Sequence, residues 1–206
     1  MNFLEFSKVF GENRLIDIRN VSTYFNGMDR RRLFEWQKRG LIVKVTNNFY
    51  VTAGKPLDSD GLKTLACGIY APAYIGLASA LSWHHFIPEA VFQTTAVTTR
   101  RNRLIRSSVG DFHYRSIKAR LFFGMSVIDR GNDHFFISDP EKTLLDHFYF
   151  TPNSDKKETL AEMRLNVDEI RRVIDAKKLE GYLRLFASPK LARAVRYLRE
   201  MAHVEP

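Results

Sequence analysis

The sequence predicts an α+β protein, and three observations carry that prediction. Up to residue 53, short stretches of helical apolar spacing run into a β-hairpin pattern. Between residues 92 and 137, β-branched and aromatic runs alternate with Gly-containing turns, as strands do. From residue 139 onward the helical period returns, so sheet gives way to helices. The 206 residues are 45% hydrophobic and include 16 Phe and 8 Tyr, enough to build a core and too many for a disordered chain.

Element by element, Phe3, Leu4, Phe6, Val9 and Phe10 form a helical stripe that Gly11 ends. Asp17 is placed to cap a second helix through Ile18, Val21, Tyr24 and Phe25, stopped by Asn26-Gly27. Asp29 is placed to cap a third, Arg30 to Arg39, with Gly40 in the left-handed position beyond its end. Residues 41–45 and 49–51 then read as two strands around a Thr46-Asn47-Asn48 turn, where Asn tolerates the positive φ of a tight hairpin. Three helices closed by a hairpin is the layout of a winged helix-turn-helix, expected over residues 1–54. Gly54-Lys55-Pro56 marks the boundary to a mixed α+β domain with a helical C-terminus, residues 57–206. There the pattern predicts helices over 62–70 and 76–83, and strands over 92–98, 111–117, 121–128 and 134–137. Five helices follow, over 140–150, 160–164, 167–175, 179–186 and 190–201.

Several classes are excluded. One cysteine, Cys67, permits no internal disulfide framework. Glu5 and Lys8 break the N-terminal apolar stretch that a signal peptide needs. The uncharged stretch 64–88 has its longest apolar run at 65–78, short of the roughly 20 residues that span a bilayer. A cytoplasmic protein without a membrane partner is therefore expected. Trp83-His84-His85 lacks the further ligands a metal requires, so buried or capping histidines are expected, with no metal and no cofactor. The acidic-x-Lys triplets Asp155-Lys156-Lys157 and Asp175-Ala176-Lys177 sit on no strand, and neither a phosphate-cradling Gly loop nor a nucleophile elbow occurs. An enzyme is not the expected reading.

The net charge of +9 is spread evenly: ten basic against seven acidic residues in 1–60, the same in 61–150, and twelve against nine in 151–206, or +3 in each. A nucleic-acid footprint must then come from local clusters. On a helical wheel of the third helix, Leu33, Trp36 and Gly40 share the core side. The opposite side centres on Arg31 and Lys38, flanked by Phe34 and Glu35, with Arg30, Arg32 and Arg39 nearer the edges. Arg grips guanine bidentately in a major groove, so Arg30, Arg31, Phe34 and Lys38 are the candidate base readers. Arg32, Lys44, Asn47 and Asn48 are the candidate phosphate anchors. A single such module reads few base pairs, so dimeric or tandem binding to an inverted repeat is expected, a homodimer on DNA being one arrangement. A second cluster, Arg100, Arg101, Arg103 and Arg106, reads as a loop between strands and a candidate second contact to nucleic acid or an acidic partner.

Ser138-Asp139-Pro140-Glu141 reads as a capped helix start with an S-x-x-E box, followed by Lys142 and Asp146 one turn apart and able to pair. Several segments together resemble AbiEi-type antitoxins of abortive-infection systems: 17–18, 24–25, Arg32 to Gly40, Phe49-Tyr50-Val51, 74–84 around Ser79, 87–89, 96–99, and 139–146 with Pro140, Glu141, Lys142 and Asp146. The resemblance spans about residues 14–150 in consistent order. It implies a winged-helix repressor of its own promoter on double-stranded DNA, and a nucleotidyltransferase-like toxin as functional partner, neutralised with or without contact. Two other readings stay open: a protein-interaction module that uses the same helix, and a nucleic-acid-processing enzyme.

Overall fold

The computed structural model describes residues 2–25, 29–54 and 57–203. The chain is α+β, as expected. The N-terminal part comprises α1 (Phe3–Phe10), β1 (Ile16–Asp17), α2 (Ile18–Tyr24), α3 (Arg30–Lys38), β2 (Ile42–Thr46) and β3 (Phe49–Thr52). The strands form an antiparallel sheet in the order β1-β3-β2. The two-residue β1 was not legible in the sequence, since only pairing with Phe49 and Tyr50 defines it. The expected caps are present: Asp17 accepts from Arg19 N, Asp29 accepts from Arg31 N, and Gly40 follows α3 with φ +66. The expected stop at Asn26-Gly27 and most of the Gly54-Lys55-Pro56 boundary lie outside the described residues.

The core of this part is largely aromatic. Phe6 and Phe3 pack on Trp36 with ring centroids 4.9 and 5.4 Å away. Leu33, Ile42 and Tyr50 join the cluster, which orients α3 with its charged side outward. Val45 and Val51, by contrast, are buried with Leu65, Ile69 and Ile105 of the second part, so the hairpin joins the two cores. Arg14 reaches Asp133 at 2.9 Å across the same junction.

The second part begins with α4 (Ser59–Ile69), β4 (Ala73–Ile75), α5 (Leu77–Trp83), β5 (Thr94–Thr98), β6 (Arg103–Ser107) and β7 (Gly110–Ser116). A 3-10 turn (Ala119–Leu121), β8 (Met125–Arg130) and β9 (Asp133–Ser138) follow. The chain ends in α6 (Pro140–Phe150), α7 (Lys157–Glu162), α8 (Val167–Val173), α9 (Ala176–Phe186) and α10 (Pro189–His203). Six strands make one mixed sheet in the order β6-β7-β5-β4-β9-β8. Its central β4 and β5 are buried throughout, because both faces are covered. Ile75, Ala96, Phe112 and Ile137 face α4 and the hairpin. Tyr74 and Val97 face the opposite core, where Leu144, Leu145 and Phe148 of α6 meet Leu179, Phe186, Leu191 and Leu198 of the last two helices.

Three expectations need correction. The strand expected over 121–128 begins instead at Met125, because Gly124 takes φ +69 and Leu121 turns inward from the 3-10 turn. Arg103 to Arg106, read as loop, lie on strand β6 at the sheet edge. Alternation puts Ile105 inside and Arg106 outside, and a charged edge discourages pairing with other chains. The S-x-x-E box at residue 138 does not form: Asp139 is the cap, accepting from Lys142 N at 2.8 Å, and Pro140 opens the helix. Glu141 turns instead to α9, accepting from Asp175 N at 2.7 Å.

Candidate nucleic-acid interface

A groove of about 540 Å³ runs between α3 and the hairpin turn. Arg30, Phe34, Lys44, Asn47 and Asn48, all singled out from the sequence, line it together. Local rules explain this convergence. Asn48 takes φ +67 at the hairpin turn, and Leu33 and Trp36 anchor the far side of α3. Residues 30, 34 and 37 then fall within one turn-wide stripe facing the hairpin. The Arg30 cation lies near enough to Tyr50 to pull its hydroxyl pKa down, although burial still holds that pKa above the ordinary value.

Arg31 and Lys38 are exposed on the side opposite Leu33 and Trp36, next to the groove. Arg32 and Arg39 are exposed too, but the 100° step places them on the other edge of the helix, away from the hairpin. Among the described residues, no carboxylate pairs with Arg30, Arg31, Arg32, Lys38, Arg39 or Lys44. The basic residues of α10 behave differently, since Arg193 pairs with Asp155 and Arg199 with Glu180. Phe34 stands in the middle of this unpaired charge with 69% of its surface exposed. Gln37 also lines the groove, and sequence reasoning missed it. Its position three residues after Phe34 was the available signal, and its amide can pair with adenine.

The second arginine cluster is divided by its strand. The Arg100 guanidinium lies 4.5 Å from the Tyr70 ring centre and donates to the Ala71 carbonyl at 3.2 Å. Arg103 approaches the same ring at 5.2 Å. Arg101 and Arg106 are exposed. Strand β2, which carries Lys44, packs beside β6, which carries Arg103 and Arg106.

The remaining singled-out residues hold the second part together. Ser79 Oγ accepts from Thr95 N at 2.8 Å while Thr95 Oγ1 accepts from Ser79 N at 2.9 Å, which locks α5 to β5. Lys142 and Asp146 do pair, and both are wholly buried. Tyr74 donates to Asp146 at 2.6 Å and accepts from Lys142 at 2.8 Å. Burial pushes the Asp146 carboxyl up and the Lys142 ammonium down, against their mutual attraction. Tyr74 was the missed member, because its partners stand 68 and 72 residues away. His84 caps α5 and its Nε2 lies 2.8 Å from the Ser138 carbonyl. Among the described residues no group of three His, Cys, Asp or Glu is placed to hold a metal ion, and no helix is long and apolar enough to cross a membrane.

The fold thus defines an α+β chain with a basic groove on its N-terminal part. It is similar to that of the RV2827C protein from Mycobacterium tuberculosis, with a TM-score of 0.52 and 16% identity over 93% of this chain and 78% of that one. At that identity the likeness is one of fold. No protein-family model matches the sequence, and no curated protein matches it significantly.

Proposed function

We propose that the chain is a DNA-binding transcriptional regulator, with α3 as recognition helix and the β2–β3 hairpin as wing of a winged helix-turn-helix. The observation that carries this reading is the groove in which Arg30, Phe34, Lys44, Asn47 and Asn48 converge beside unpaired Arg31 and Lys38. Uncompensated cations on one helix favour phosphate, where each contact releases a counterion. An exposed aromatic ring among them suits the thymine methyl or a base edge.

The resemblance to AbiEi-type antitoxins adds the finer proposal: a cytoplasmic antitoxin that represses its own promoter at an inverted repeat and counteracts a nucleotidyltransferase-like toxin. In this reading the chain catalyses no reaction and needs no cofactor. The test is a titration of the full chain against its own upstream DNA and a scrambled duplex at two salt concentrations. Tight binding that prefers the native duplex and weakens steeply with salt is expected. Equal, weak binding to both duplexes would overturn the regulator and favour a protein partner for the same groove. Co-expression with the adjacent gene tests the antitoxin part separately.

A further inference from the structure

A second concavity lies in the second part, away from α3. It is a cleft of about 830 Å³ between the first turn of α4, the end of α5, the segment leading into β5, and the end of β8. That size falls in the range of small-molecule sites, which combine apolar walls with a few placed polar groups.

Its chemistry is specific. Trp83 forms one wall, with Lys63 Nζ and the Arg130 guanidinium each 4.9 Å from its ring centre. Lys63 is buried and its donors are spent on the Ser59 carbonyl (3.2 Å), Ser59 Oγ (2.6 Å) and Asp60 (3.1 Å). Asp60 thus balances Lys63. Arg130 is different: its side chain is 62% exposed, and its contact with Asp60 is a long 3.3 Å. Lys63 and Arg130 therefore share the single Asp60 carboxylate, which leaves the cluster with one net positive charge and the Arg130 side chain largely open to a further acceptor. At the rim stands Phe92, 95% exposed, a bare aromatic ring with no role in any core cluster. Ser82 and exposed His85 are also among the lining residues, and His85 takes a left-handed φ of +58.

We propose that this cleft binds a small aromatic anion: a flat ring against Phe92, and one carboxylate or phosphate on Arg130 where it stacks on Trp83. The pairing follows from what is unused. Two cations share one carboxylate, so one positive charge is left over, and the open apolar surface is the Phe92 ring. Arg130 also opens the turn whose Asn132 donates to the Glu12 carbonyl at 3.1 Å and whose Asp133 holds Arg14. The site therefore adjoins the junction with the N-terminal part.

The test is isothermal titration of the full chain, without DNA, using adenosine monophosphate, indole-3-acetate and inorganic phosphate as probes. Because no nucleic acid is present, the outcome is independent of the proposed DNA binding. At least one aromatic anion is expected to bind one per chain with a Kd below about 1 mM, and inorganic phosphate at least about tenfold more weakly. Arg130→Ala should weaken the aromatic anion about tenfold, and Phe92→Ala about threefold. Both side chains are exposed, so both variants should unfold at the parent temperature, which keeps the comparison valid. Tighter binding of phosphate than of either aromatic anion, unchanged affinity in both variants, or no saturable heat from the aromatic anions at about 5 mM would each overturn the proposal.

Discussion

Replacing Lys142 by Met is the sharpest perturbation of the second part. It leaves the Asp146 carboxylate wholly buried, held only by Tyr74 at 2.6 Å. Taking one partner from a buried ion pair costs about 3–5 kcal/mol, because the other charge stays desolvated without its counterion. That is a large share of the roughly 5–15 kcal/mol by which a domain is stable. Replacing both residues, Lys142→Met with Asp146→Leu, removes both desolvation penalties. The Tyr74 hydroxyl then loses both partners, which costs about 1–3 kcal/mol. The double variant should accordingly be more stable than the Lys142→Met single. Urea denaturation followed by far-ultraviolet circular dichroism measures the parent, the two singles Lys142→Met and Asp146→Leu, and the double. A single variant within about 1 kcal/mol of the parent would refute the reasoning, as would a double variant whose loss equals the sum of the two singles. The pair lies on the buried side of α6 and α3 packs in a separate cluster, so the groove should be unaffected at temperatures where the double variant is folded.

Other outcomes follow from the same geometry. Arg31→Ala should cost about 1–3 kcal/mol of promoter affinity and relax sequence preference, whereas Lys44→Ala should weaken all duplexes alike and lower the salt slope by about 1; equal behaviour of the two in a fluorescence-anisotropy titration would contradict the split between base reading and phosphate anchoring. Burial holds the His147 imidazole down at about 4 against 6.5 in the open chain, so the unfolded state takes up its proton first as pH falls. Stability is lost between about pH 6.5 and 4, by about 2 kcal/mol at pH 5, and His147→Leu should flatten that part of a stability–pH profile. Burial likewise pushes the Cys67 thiol up to about 12, so an aromatic disulfide reagent at pH 8 should modify it slowly in the native protein and promptly in urea; equal rates would place the thiol in solvent.

Much of the N-terminal part was legible because its determinants are local. Asp17 and Asp29 cap helices within two residues of themselves, Gly40 supplies a left-handed φ, and Asn48 turns the hairpin. The 3.6-residue period alone put Leu33 and Trp36 inside and Arg31 and Lys38 outside. Strand β6 was illegible for a physical reason: at a sheet edge only Ile105 needs burial, so Arg103 and Arg106 masked the alternation. Glu141 misled similarly, since a carboxylate three residues after a serine fits a capping box until α9 offers it the Asp175 amide.

By itself the sequence determined the α+β class, the three helices with their hairpin, and a basic, outward-facing third helix. These depend on periodicity and on side chains acting a turn away. Only the tertiary structure decided that Phe34 and Asn47 border the same groove, that Tyr74 completes the Lys142–Asp146 pair, and that Trp83 and Arg130 meet in one cleft. Those partners come from elements far apart in the chain, and burial and strand order bring them together with no trace in local spacing.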